Sequence, residues 1–218
     1  MEREKFRDFH KKEFYNEILF KSENFVAIPS LGSMIEGWLL IVPKKHQLSL
    51  QCINSDFLLR ELEDFSNSIS KIMVQEFGYV TMFEHGAADS NSTVGCGVDF
   101  AHLHLVPVNF DLINGLEEFL EIKYDWKKVS GIKNFISSSE KGIEYLFLTD
   151  YLGNSFVSQN ERIPSQLFRK VIAQYLNIPE KYDWKEYQEI NKISNTINRF
   201  KKYNSSLKTF MVEYEPTK

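Results

Sequence analysis

The run Gly95-Cys96-Gly97-Val98-Asp99-Phe100-Ala101-His102-Leu103-His104-Leu105-Val106-Pro107 joins a loop of small residues to a strand. Side chains alternate across a strand, so His102 and His104 share one face while Leu103 and Leu105 take the other. The loop over residues 86–97, GAADSNSTVGCG, carries little side-chain bulk. Gly95 and Gly97 leave room for a phosphate to approach the backbone, where amide N–H groups donate to its oxygens. One imidazole then attacks phosphorus while the other donates to a non-bridging oxygen. Read alone, His-x-His also fits an ordinary polar pair on a half-exposed strand. It fits part of a zinc site too, although His46, His85 or acids would have to complete the ligand set without a recognisable spacing.

Upstream of this strand, residues 15–28 (YNEILFKSENFVAI) read as two short strands around a turn at Ser22-Glu23-Asn24. Residues 35–43 (IEGWLLIVP) are the most apolar strand of the first half. Asn54 or Ser55 caps a helix running to about Glu76, in which Phe57, Leu58, Leu62, Phe65, Ile69, Ile72 and Met73 recur at helical spacing. Gly78 ends it, and Tyr79 to Phe83 form a further strand. Strands, one long helix and more strands, without regular β-α-β alternation, predict an α+β fold around a mainly antiparallel sheet.

From about residue 113 the pattern changes. Residues 116–122 read as helical, and residues 144–149 (EYLFLT) as a strand entering a turn at 150–154. Pro164-Ser165 start a helix through Leu176, with serine as its cap. Ser165, Gln166 and Arg169 gather near that helix N-terminus, a chemistry suited to an anion. A polar tail from Lys185 is helical to about Tyr203. The expected organisation is one domain over residues 1–112 with an extension over 113–218 that packs on it.

The composition is that of an ordinary globular chain: 43% hydrophobic, 26% charged, with 18 Phe and 10 Tyr to build a core. A net charge of −4 provides no field for coating a nucleic acid. Two cysteines, Cys52 and Cys96, are too few for a disulfide framework or a cysteine-rich metal site. The charged opening MEREKFRDFHKKEFYNE has no apolar signal core, and no apolar run reaches the roughly 18 residues of a membrane span. The expectation is a cytoplasmic protein with no membrane partner, no metal and no cofactor.

Residues 95–107 resemble the signature of the histidine-triad (HIT) superfamily, His-φ-His-φ-His-φ-φ with φ apolar, its second and third histidines falling on His102 and His104. The run Gly37-Trp38-Leu39-Leu40-Ile41-Val42-Pro43-Lys44-Lys45-His46 resembles the strand that precedes the long helix in the same family. The likeness covers roughly residues 15–110. It implies a five-stranded antiparallel sheet with helices, a homodimer, and a cleft for a purine nucleotide or its conjugate. It further implies cleavage at the α-phosphate through a covalent nucleotidyl-histidine, with His102 as nucleophile and His104 as donor. Phe25, Ile28 and Leu31 would hold the base, Ser30 the ribose. Trp38, Glu84, Gly95, Gly97 and Phe100 would complete the nucleotide site.

Several positions depart from the family pattern. Trp38 and Phe100 stand where HIT hydrolases often carry histidine, Ser30 where they carry Asn or Asp, and Gly97 where they carry Ser or Thr. The leading expectation is a nucleotidyl hydrolase or transferase. The alternative is a nucleotide-binding protein with little turnover, in which Trp38 and Phe100 mark lost catalysis. A nucleic-acid end processor is a weaker third reading, since no aromatic-basic stripe is present.

Overall fold

A computed structural model describes residues 14–89, 100–160 and 163–203. The described chain is an α+β fold around one antiparallel sheet. Strands β1 (Phe20–Lys21), β2 (Phe25–Pro29) and β3 (Leu39–Pro43) come first. Helix α1 (Asp56–Phe77) follows, then β4 (Thr81–Gly86) and β5 (Leu103–Val106). The second half adds α2 (Leu112–Leu120), β6 (Lys127–Val129), α3 (Ile132–Ser138), β7 (Tyr145–Thr149) and β8 (Ser155–Gln159). Helices α4 (Leu167–Tyr175) and α5 (Ile190–Phe200) close the chain. Among the described residues no helix is long and apolar enough to cross a membrane.

The sheet has eight strands in the order β1-β2-β3-β5-β4-β7-β8-β6, which corrects the expected five. The first five do lie side by side, but the β4 edge is not an end. Its residues from Met82 to Gly86 pair with Thr149 to Tyr145 of β7, so the extension prolongs the sheet. A bare strand edge offers a row of unpaired N–H and C=O groups, and β7 satisfies them. β7 reads YLFLT and is buried on both faces, an apolar run that fits an interior strand. The short β6 and β8, and helix α3, are elements that the sequence reading did not place.

Each face of the sheet carries helices. On one side, α1, α3 and α5 bury Leu62, Phe65, Phe135, Ile193 and Phe200 against Leu103, Leu105 and Phe147. On the other, α2 and α4 bury Leu116, Phe168 and Ile172 against Trp38, Leu40, Phe83 and Leu148. Helix α1 starts where expected, with the Ser55 hydroxyl accepting from the Leu58 amide, and ends at Gly78. Such a cap is worth about 1 kcal/mol. Helix α4 departs from expectation. It begins at Leu167, and its cap is Gln166, in left-handed backbone with φ 57° and without a side-chain capping bond, rather than Ser165.

The extension is stitched to the loop between β2 and β3. Gly32 N–H donates to Gln188 O over 3.0 Å, and Gly32 O accepts from the Arg169 guanidinium over 2.6 Å. Gly32 has φ +69°, and a Cβ there would sit 2.5 Å from Trp184 Cβ. Only glycine permits that turn and that approach together.

Candidate functional site

The histidines lie on the α4 side of the sheet. In the β4–β5 ladder Phe83 is opposite His104, and continuing that register by two residues puts His85 opposite His102. Residues directly opposite on one face are close neighbours. Three imidazoles therefore share one surface, with His102 8%, His104 2% and His85 7% exposed. The His102 and His104 rings meet edge to face at 4.8 Å. His104 stacks on Phe83 at 4.5 Å, and His85 stacks on Phe168 of α4 at 4.8 Å.

Hydrogen bonds decide which nitrogen of each ring carries its proton. His102 Nδ1 lies 2.7 Å from Phe100 O, and a carbonyl only accepts, so Nδ1 holds the proton. In the neutral ring the lone pair is then on Nε2. His104 Nδ1 accepts from Trp38 Nε1–H over 3.0 Å, which leaves the proton on Nε2. His85 Nε2 accepts from the Phe168 amide over 3.2 Å, so its proton is on Nδ1. Among the described residues neither His104 Nε2 nor His85 Nδ1 has a hydrogen-bond partner. Buried polar atoms without partners are rare and call for an explanation.

Burial holds both rings neutral. The His85 pKa is lowered to about 3, first by desolvation and then by the positive charges of His102, Arg169 and Lys170. His104 is held well below the ordinary histidine value by desolvation, then by His102, Arg169 and His85. Two neutral N–H donors thus stand beside the His102 imidazole, and the charges that bear on them are cationic.

The other expected site residues divide by sheet face. Ile28 and Trp38 belong to the core on the histidine side, and Phe100 packs against it. Ser30 closes the turn beside them. Its amide donates to Trp38 O, and its hydroxyl donates to Leu31 O. Phe25 and Leu31 join the core on the opposite face, so they do not line the histidine surface. Glu84 is on that opposite face too, because it alternates with Phe83 and His85. Its carboxylate accepts from Tyr145 OH and from the Leu50 amide, which makes it a structural group rather than a nucleotide contact. Gly95 and Gly97 lie outside the described residues, as do Ser90, Ser92, Thr93 and Cys96.

In the extension, Gln166 caps α4 and its Oε1 is buried without a partner among the described residues, while Ser165 is half-buried. Arg169 is 1% exposed. It donates to Tyr182 O and Gly32 O and lies 4.9 Å over the Trp38 ring, so it braces the fold behind His104. His46 is exposed, with its ring edge against Phe100 at 5.2 Å. His85 is the residue that the motif undervalues. Its signal was its spacing two residues after Phe83 on a strand antiparallel to the His-x-His strand. Among the described residues no cluster of three or more His, Cys, Asp or Glu is arranged to hold a metal ion.

No protein-family model matches the chain, and no curated protein does. Among solved structures, part of the chain is similar to a HIT-like protein involved in cell-cycle regulation from Bartonella henselae, solved with an unknown ligand. The two are 21% identical, and the match covers 41% of this chain and 64% of that one with a TM-score of 0.34. A partial overlap of that quality decides nothing about activity.

Proposed function

We propose that this chain is a nucleotidyl hydrolase or transferase of the HIT superfamily, acting at the α-phosphate of a purine nucleotide conjugate. Residues 1–112 form its nucleotide-binding domain and residues 113–218 an extension packed on it. The observation that carries the reading is the Phe100 carbonyl on His102 Nδ1. It is a main-chain contact, so the phenylalanine that replaces a family histidine does not remove it. With Nδ1 protonated, Nε2 supplies the electron pair for attack on phosphorus.

In the first step a bond forms from His102 Nε2 to the α-phosphorus and the bond to the leaving group breaks. The leaving group departs with the electron pair and takes up a proton. Water, or an acceptor in a transferase, then displaces the histidine and restores it. His104 Nε2–H donates to a non-bridging oxygen as negative charge builds there. Ile28 lines the base side and Ser30 stands at the ribose, while Trp38 and Arg169 support His104 from behind.

The test is to incubate wild type and His102→Ala with adenosine and guanosine phosphoramidates, dinucleoside polyphosphates and nucleotide sugars, reading release of nucleoside monophosphate. Release by wild type alone, with a trapped nucleotidyl-histidine, is expected. Nucleotide binding without release from any conjugate would replace this reading with that of a binding module. Absence of both would overturn it.

A further inference from the structure

We infer that His85 is a third imidazole of the phosphate site, donating its Nδ1–H to a phosphoryl oxygen, and that helix α4 of the extension holds it in that tautomer. The inference rests on the nucleotidyl reading above. The first support is register, since continuing the Phe83–His104 pairing by two residues brings His85 to the level of His102 on the same sheet face. The second is the Phe168 amide in the first turn of α4, which occupies His85 Nε2 and forces the proton to Nδ1. The third is that His85 is 7% exposed and its Nδ1 is buried with no hydrogen-bond partner among the described residues.

The surroundings select the ligand's sign. The first turn of α4 brings the positive end of its helix dipole, and Arg169 and Lys170 bear electrostatically on His85. The two orphaned imidazole atoms, on His85 and His104, are both donors. A group with several acceptor oxygens and negative charge satisfies both at once, and a phosphoryl group has that character. The histidine face of the core domain thus becomes a two-donor cradle only when α4 lies over it, which gives the extension a role in binding.

The experiment is long-range proton–nitrogen correlation of the full chain labelled with 15N-histidine, titrated with AMP and separately with inorganic phosphate. His85→Asn and His85→Phe assign the signals. Without ligand, His85 should show a protonated Nδ1 and a lone pair on Nε2. At saturation with AMP its Nδ1 signals should move together with those of His102. His85→Phe keeps an aromatic ring against Phe168 but has no donor, and should weaken AMP binding about tenfold or more, whereas His85→Asn retains a donor and should stay within about threefold.

A proton on Nε2, or AMP saturation that moves His102 and leaves His85 unchanged, overturns the assignment while leaving the nucleotidyl reading standing. If neither AMP nor phosphate moves any histidine and no conjugate is cleaved, both readings fall. If His85→Phe does not fold, the wild-type spectra alone decide.

Discussion

Trp38 Nε1–H donates to His104 Nδ1 over 3.0 Å, with both rings buried. An indole nitrogen is a donor only, so the bond allows a single tautomer of His104. Tryptophan at this position therefore does a job that a histidine could also do, fixing which face of the next imidazole carries the proton. Arg169 sits against the far side of that indole at 4.9 Å. The replacement that reads in the sequence as a lost histidine is, in three dimensions, a continued chain of contacts from the extension to His104.

Trp38→Phe tests that chain. The variant keeps an aromatic ring in the core but removes the donor and leaves His104 Nδ1 buried and unsatisfied. Stability should fall by about 1–3 kcal/mol from the lost donor, more where the smaller ring leaves a void. Nucleoside monophosphate release should drop about tenfold or more, with His104 populating both tautomers in its nitrogen spectrum. A variant that turns over like wild type would show that the indole only fills space.

Arg169→Lys addresses the stitch between the two halves. A guanidinium reaches Tyr182 O and Gly32 O at once because its donors fan out in a plane, and an ammonium on a flexible stem cannot match both. Equilibrium unfolding in urea should show a loss of about 2 kcal/mol or more. Gly32→Ala should act on the same joint, since its new Cβ collides with Trp184. In limited proteolysis, residues 177–189 should be cut in both variants before the sheet core opens. Equal cutting of variant and wild type would separate Gly32 and Arg169 from the docking of that segment.

Much of the first half was legible because its signals are local. The apolar period of α1, its Ser55 cap and its Gly78 stop each depend on neighbours in sequence. The two faces of His-x-His follow from strand alternation alone. What could not be read depends on pairing. Nothing near Met82 or Phe83 announces that β4 has a second neighbour, and β6 is three residues long with two exposed lysines. The same limit applies to the site. Phe25 was placed with the nucleotide by the family resemblance and Glu84 by its nearness to the loop, and alternation along β2 and β4 turns both to the other face. Arg169 read as an anion contact at a helix N-terminus, because its carbonyl partners at Gly32 and Tyr182 are invisible without the fold.

Gly86 and Tyr145 are cross-strand partners, and a Cβ on Gly86 would stand 1.9 Å from Tyr145 Cε1. The tyrosine ring lies over the bare glycine and so delivers its hydroxyl to Glu84. Gly86→Ala should displace the ring and break that contact. A loss of at least about 2 kcal/mol in chemical denaturation is expected, since Tyr145 and Glu84 are both buried. A loss near zero would mean that Tyr145 reaches Glu84 by another path.

Glu84 gives the protein a pH dependence whose sign is fixed by its burial. Desolvation pushes its pKa up from 4.5 to about 7, against the opposing bonds from Tyr145 and the Leu50 amide. The folded state thus binds this proton more tightly than the unfolded chain does. The contribution is fully present below about pH 4.5 and disappears as pH rises through 7. At about 1.4 kcal/mol per pKa unit the span is at most about 3.5 kcal/mol. Glu84→Gln is neutral at every pH and keeps an oxygen for the Leu50 amide, so it should lack this slope. Other titrating groups, including His85 and His104, act alike in both proteins and cancel in the difference. Between pH 5 and pH 8, urea denaturation should show wild type losing stability relative to Glu84→Gln. Parallel profiles would mean that Glu84 stays ionised in the core, held there by Tyr145 and the Leu50 amide.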